Sequence, residues 1–156
     1  MKHTGLIVSI LVALALGAVL VNRQMLQTPA KVAKKPSNIR FTSCDNVPNP
    51  CSNISSLSID GTFMKQTAMT ISMSGYGNDN CELTIMQITV KYGAIQVYNE
   101  EVYYPMHVSK GVAYNAQMVM DSPIDQPDGD YKNIMRFFNS DRQERQCVLM
   151  TYTVSS

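Results

Sequence analysis

From residue 39 onward, apolar and polar side chains alternate in short runs set between turn-forming residues. In 68–74, Met69, Ile71 and Met73 fall on one side and hydroxyl residues on the other. In 81–92, Met86, Ile88, Val90 and Tyr92 share a face, with Gly93 placed to break or bulge the run. A further run spans 95–104, and in 112–120 Tyr114, Ala116, Met118 and Met120 are in phase. The run 131–138 alternates imperfectly through Tyr131, Met135 and Phe137, and 147–154 places Val148, Met150, Tyr152 and Val154 together. Shorter runs at 39–44 and 56–59 complete the set. A two-residue period is that of a half-buried strand. No stretch after residue 38 carries a helical period. Turn chemistry separates the runs: Asp60-Gly61, the Gly75–Asn80 loop, Pro127-Asp128-Gly129 and a polar hairpin loop at 139–146. Many short strands joined by such turns predict an all-β fold, an antiparallel sandwich or barrel.

The first 38 residues break this pattern. An apolar run from Leu6 to Val21 is interrupted only by Ser9 and Gly17. It is long for a signal-peptide core and short of the ~20 residues of a membrane span. Residues 1–21 therefore read as a cleaved signal peptide or a retained anchor, and both put the domain outside the cytosol. Residues 22–38, with two prolines, three lysines and no apolar period, read as a basic linker, leaving 39–156 as the domain. Charge divides the same way. Residues 1–37 carry five basic side chains and no acid, whereas the rest carries eight basic and twelve acidic ones. An acidic domain lacks the basic surface that nucleic acid requires. Four cysteines in an exported chain imply two disulfides, with three pairings open. Asn53-Ile54-Ser55 is an N-glycosylation sequon.

Catalytic and metal chemistry find no constellation in the sequence. His3 and His107 are the only histidines, and no Gly-x-Ser-x-Gly elbow accompanies them. The cysteine spacings match no zinc module. Asp125, Asp128 and Asp130 lack the downstream ligands of a calcium loop and suit a solvated turn. The expectation is a non-enzyme with no cofactor and no metal, in which His107 is a surface or loop residue. The eleven methionines are the more informative feature. Met69, Met73, Met86, Met118, Met120, Met135 and Met150 all take inward phases. Unbranched, polarizable methionine either fills gaps in a closed core or lines a pocket whose shape must adapt.

Cys44-Asp45 after a short strand and before a proline-bearing loop, Gly129-Asp130-Tyr131 opening a strand, and Cys147 opening the last strand together resemble the ML (MD-2-related lipid-recognition) domain family. The resemblance spans about 39–156 and lies toward members of the GM2-activator and phosphatidylglycerol/phosphatidylinositol-transfer type. It implies an immunoglobulin-like sandwich whose sheets splay to admit a lipid. It implies a Cys44–Cys147 bridge, which leaves Cys51 with Cys81. The short mid-chain cysteine loop of the sterol carriers is missing, which favours phospholipid or glycolipid. On this reading Met69, Ile71, Met73, Met86, Ile88, Val90, Met118, Met120, Met135, Phe137, Val148, Met150 and Tyr152 face acyl chains. Tyr92 and Tyr131 offer rim hydroxyls to a headgroup, and the loops 103–110 and 122–128 border the mouth. The implied partner is a lipid, with transient membrane contact or an N-terminal anchor and room for a protein partner. The implied location is the secreted space or endolysosomal lumen, or the non-cytosolic face of a membrane. The alternative is a tethered interaction ectodomain with a closed core. The two differ in whether an apolar cavity lies between the sheets.

Overall fold

A computed structural model describes residues 34–155 apart from Asp45 and Pro123. The hydrophobic segment 1–21 and most of the linker lie outside these residues. The described chain forms eight strands and no helix: β1 (Lys35–Ser43), β2 (Ser52–Gly61), β3 (Ala68–Gly77), β4 (Cys81–Tyr92), β5 (Ile95–Val108), β6 (Ala113–Asp121), β7 (Gly129–Phe138) and β8 (Glu144–Ser155). They pair in a five-stranded sheet, β1-β8-β7-β4-β5, and a three-stranded sheet, β2-β3-β6, antiparallel throughout. The inner faces of both sheets meet in one hydrophobic core. This is an all-β, immunoglobulin-like sandwich.

The two-residue period sets which side chains are inside. On β7, Tyr131, Asn133, Met135 and Phe137 are buried, and on β8 every second residue from Gln146 to Val154 is buried. Along β4 the phase changes. Cys81 and Leu83 are buried, and then Met86, Ile88 and Val90, because the register slips between Leu83 and Ile85. A one-residue slip moves alternate side chains to the opposite face. Two glycines permit the turns that feed these strands. Gly93 turns the chain between β4 and β5 at φ 56°. Gly129 opens β7 at φ 145°, where a Cβ would meet the Tyr92 ring at 2.5 Å.

Several sequence boundaries move. The linker reading of 35–38 is corrected: β1 begins at Lys35, and Lys35, Pro36 and Ser37 pair with Ser155, Val154 and Thr153. Proline is accepted there because β1 is an edge strand. The slip in register between Ser37 and Arg40, with Asn38 at φ 52°, hides the strand from any periodic pattern. The polar loop 139–146 is also shortened, since β8 starts at Glu144 and Gln146 is buried. β3 runs on to Gly77, through part of the expected loop. β5 runs on to Val108, so His107 is an exposed strand residue, 4.0 Å from Glu82.

Candidate functional site

Two ends of the sandwich are shut by different chemistry. At the end where β2 ends and β7 begins, aromatic rings form a row. Phe63, from the β2–β3 connection, stacks on Tyr152 at 5.0 Å, Tyr152 on Tyr131 at 5.6 Å, and Tyr131 meets Tyr92 at 5.1 Å. Their hydroxyls are spoken for: Tyr152 donates to Gln126 Oε1 (3.2 Å), Tyr131 to the Pro127 carbonyl (2.9 Å) and Tyr92 to the Asp128 carbonyl (3.3 Å). Tyr131 is buried, and Tyr92, 38 % exposed, forms the solvent-facing end of the row. Ser122 and the segment 124–128 thus cap this end, with Ser122 and Gln126 buried, and do not stand open as a mouth.

The opposite end is held by cysteines and a polar plug. Cys44 is bonded to Cys147 (Cα–Cα 5.3 Å) and Cys51 to Cys81 (5.9 Å). The first bridge fastens the exit of β1 to β8, and the second ties the entry of β2 in one sheet to the start of β4 in the other. Inside them, Ser52 N donates to Gln146 Oε1 (3.1 Å), and Ser52 Oγ reaches the same oxygen at 3.3 Å. Ser52 Oγ also shares a hydrogen bond of 2.9 Å with Tyr114 Oη. Gly75 makes room for this plug, since a Cβ there would lie 2.9 Å from Tyr114 Oη and 2.1 Å from the Asn53 carbonyl oxygen.

Between these ends, the edge strand of each sheet borders an opening. A cleft of about 280 Å³ lies along the seam of β5 and β6, lined by Ile88, Val102, Tyr103, Tyr104, Gln117, Met118, Val119 and Met120. A void of about 10 Å³ lies deeper, among Leu57, Ile71, Met73, Tyr104, Ala116, Met118, Met135 and Phe137. Tyr104 and Met118 border both. The inward residues of β6 are only half-buried, unlike those of every strand paired on both sides. Two large apolar side chains stand out from the rim, Tyr103 at 78 % exposure and Val119 at 70 %. Tyr104 Oη donates across the seam to the Gln117 carbonyl at 3.2 Å, and its ring is tilted against Phe137.

The residues expected to face a lipid therefore divide into groups. Ile88, Met118 and Met120 line the cleft, and Ile71, Met73, Met118, Met135 and Phe137 line the deeper void. Met69, Met86, Val90, Val148, Met150, Tyr131 and Tyr152 are buried and line neither of these two spaces. Tyr92 sits in the aromatic closure. Sequence reading missed Val102 and Tyr104 on the cleft wall, although Tyr103 and Tyr104 fall in the stretch expected at the mouth. It also missed Phe63, a loop residue with no period to mark it, and the buried polar set Ser52, Ser122, Gln126, Asn133 and Gln146.

Burial raises the hydroxyl pKa of Tyr104, Tyr114, Tyr131 and Tyr152, and burial with the neighbouring Glu100 carboxylate pushes Tyr98 up to about 12. These phenols are neutral hydrogen-bonding groups at physiological pH. A larger surface recess, about 970 Å³, lies beside the β1–β2 loop. Its wall includes Asn46, Asn78, Lys110 and Arg145, with Arg145 paired to Asp79 at 3.1 Å, so it is a solvated hollow. Among the described residues no cluster of three or more His, Cys, Asp or Glu is arranged to hold a metal ion.

No family model matches the chain, and no curated protein does. Among solved structures, the fold matches chicken MD-1 complexed with lipid IVa at a TM-score of 0.53 and 18 % identity, covering 77 % of this chain and 96 % of that one. The C-terminal domain of wzt matches at 0.49 and 12 %, covering 75 % and 76 %. A Niemann-Pick type C2 protein from Japanese carpenter ant matches at 0.45 and 14 %, covering 78 % and 92 %. The chain thus shares the fold of chicken MD-1.

Proposed function

We propose that this domain binds one lipid at a time, drawing apolar chains in through the β5–β6 seam and releasing them unchanged. The observation that carries the reading is the asymmetry of closure. Rings shut one end, disulfides and a polar plug shut the other, and an opening at the β5–β6 seam leads past Met118 and Ile88 to a methionine-rich core. Each buried methylene contributes about 0.8 kcal/mol, enough for reversible capture of a single chain. MD-1, with the same fold, has been crystallised with lipid IVa. Phospholipid or glycolipid acyl chains are the ligands we favour. The cleft is just under the ~300–1,000 Å³ usual for ligand pockets, so a two-chain lipid requires the sheets to part. Methionine side chains suit such repacking. The two disulfides fit an oxidising compartment. Within that, we place the domain in the secreted or endolysosomal space, or tethered on a non-cytosolic face by residues 1–21. Asn53, exposed on β2, would carry a glycan there.

The small size of the deeper void, about 10 Å³, favours a second reading, a tethered interaction module with a closed core. Transfer of fluorescent phospholipid from vesicles separates the two. The lipid reading expects saturable uptake, reduced more than about tenfold by Met118→Glu, because an unpaired carboxylate beside methylene groups is costly. Met118 is half-buried, so the substituted carboxylate reaches water in the free protein and the fold should persist. An absence of saturable uptake by the wild-type domain would leave the interaction module.

A further inference from the structure

One buried group is explained neither by packing nor by the closures described above. Asn133 lies on the inner face of β7 between Tyr131 and Met135, and is 3 % exposed. Its Oδ1 is enclosed and has no hydrogen-bond partner among the described residues. Its cross-strand neighbours are Val90 on β4 and Met150 on β8, both buried and apolar. Roughly 90 % or more of buried polar groups in native proteins are paired. An enclosed acceptor without a donor destabilises a fold, and a leucine of similar size would occupy the site without that penalty. The other enclosed orphan, Gln146 Nε2, belongs to a side chain whose oxygen already receives two bonds from Ser52, which gives it a structural role. Asn133 has no such second role.

Its position relative to the cleft is fixed by strand register. Ile88 lines the cleft and pairs directly with Met135 on β7. Asn133 is the next inward residue of β7, opposite Val90, and so is a diagonal neighbour of Ile88, at the ~7–8 Å typical of that relation. A chain entering at the seam and passing Ile88 meets Asn133 after crossing one strand. The facing sheet contributes methionines to the same core, Met69, Met118 and Met120, and Met118 and Met120 line the cleft with Ile88; such side chains can move aside.

We infer that the natural ligand carries a hydrogen-bond donor on its apolar portion, a chain hydroxyl or an amide N–H, and that Asn133 Oδ1 accepts from it inside the core. The inference rests on the lipid-binding reading and narrows it to hydroxylated or amide-linked acyl lipids. It also assigns Asn133 to selectivity, since a site built to hydrogen-bond a donor discriminates against the analogue that lacks it.

The test is competition against a bound fluorescent fatty acid on the purified, disulfide-bonded domain. The competitors are hexadecanoic acid, its mono-hydroxylated positional isomers, and an N-acylated amino alcohol of the same chain length. The positional set is needed because the depth of Asn133 along the chain is not fixed by register. We expect at least one isomer, or the amide, to bind about tenfold more tightly than plain hexadecanoic acid. In Asn133→Leu that preference should vanish while the plain acid keeps its affinity. Asn133→Met serves the same purpose if the leucine variant fails to fold, and the wild-type comparison needs no variant. The hydroxyl arm and the amide arm distinguish the two donor sources. Equal binding of all competitors by wild type would overturn the inference while leaving the lipid reading intact, as would a preference that survives in both variants. Failure of even plain hexadecanoic acid to bind would remove the lipid reading, and this inference with it.

Discussion

Single side chains decide how the interior of this sandwich is closed. Ser52 is the hub of the polar plug, contacting Gln146 through both its amide and its hydroxyl, and Tyr114 through the hydroxyl. Ser52→Ala removes one oxygen but leaves Tyr114 Oη without that partner. Losing a partner of a buried polar group costs about 1–3 kcal/mol, so urea unfolding should report a loss of that order, with an unchanged denaturant slope. The tyrosines make a second prediction. Five of them have pKa values raised in the fold, Tyr98 to about 12. A raised folded pKa means that the folded state holds protons the unfolded state has already lost. Their contribution is therefore complete below the unfolded tyrosine pKa of about 10 and is lost as pH rises through the folded values. Stability should be flat in this respect near neutrality and fall steeply in strong alkali. The phenolate absorbance of these five should appear together with unfolding, and their free titration near pH 10 in a still-folded domain would contradict it. None of these roles was legible in the sequence. Polarity alone sets Ser52, Asn133 and Gln146 outside, and only the strand phase, read against composition, would have put them inside.

At the scale of elements, the sequence was most readable where a strand keeps one phase. β3 and β8 place Met69, Ile71, Met73, Val148, Met150, Tyr152 and Val154 inside as alternation requires. It was least readable where register slips. The shift between Leu83 and Ile85 puts Leu83 inside on what a strict two-residue count makes the outer face. In β1, a proline, a left-handed Asn38 and a slip in register between Ser37 and Arg40 leave no period at all. That strand is also the one most dependent on a covalent tie. It is an edge strand with no fully buried side chain, and Cys44 at its exit is bonded to Cys147 across 103 residues of sequence. In the chain-entropy model, closing a loop of about 100 residues contributes up to about 4.7 kcal/mol. The double substitution Cys44→Ala, Cys147→Ala should lower stability by several kcal/mol and speed amide exchange first in β1. Exchange that rose equally in every strand would show that β1 is not a separately opening unit.

For the sandwich as a whole, the question is which of its sides yields. The five-stranded and three-stranded sheets are tied together by Cys51–Cys81 at one end and by Phe63 stacked on Tyr152 at the other. β5 and β6 are each paired on one side only, and the seam between them is spanned by the Tyr104 hydroxyl on the Gln117 carbonyl. Tyr104 also packs its ring against Phe137 in the core, so its body and its polar tip serve different ends. Tyr104→Phe keeps the ring and removes the bond. Gln117 is exposed, so water can satisfy its carbonyl, and the equilibrium cost should stay within about 1 kcal/mol. A closed seam weakened by that amount opens about five times more often. If lipid enters and leaves there, uptake from vesicles and release to acceptor vesicles should both quicken by a few-fold, leaving equilibrium affinity nearly unchanged. Stopped-flow transfer of a fluorescent lipid measures both rates on the same sample. Unchanged rates in a folded Tyr104→Phe domain would move the entrance away from β5 and β6, to one of the two ends that rings and disulfides hold shut.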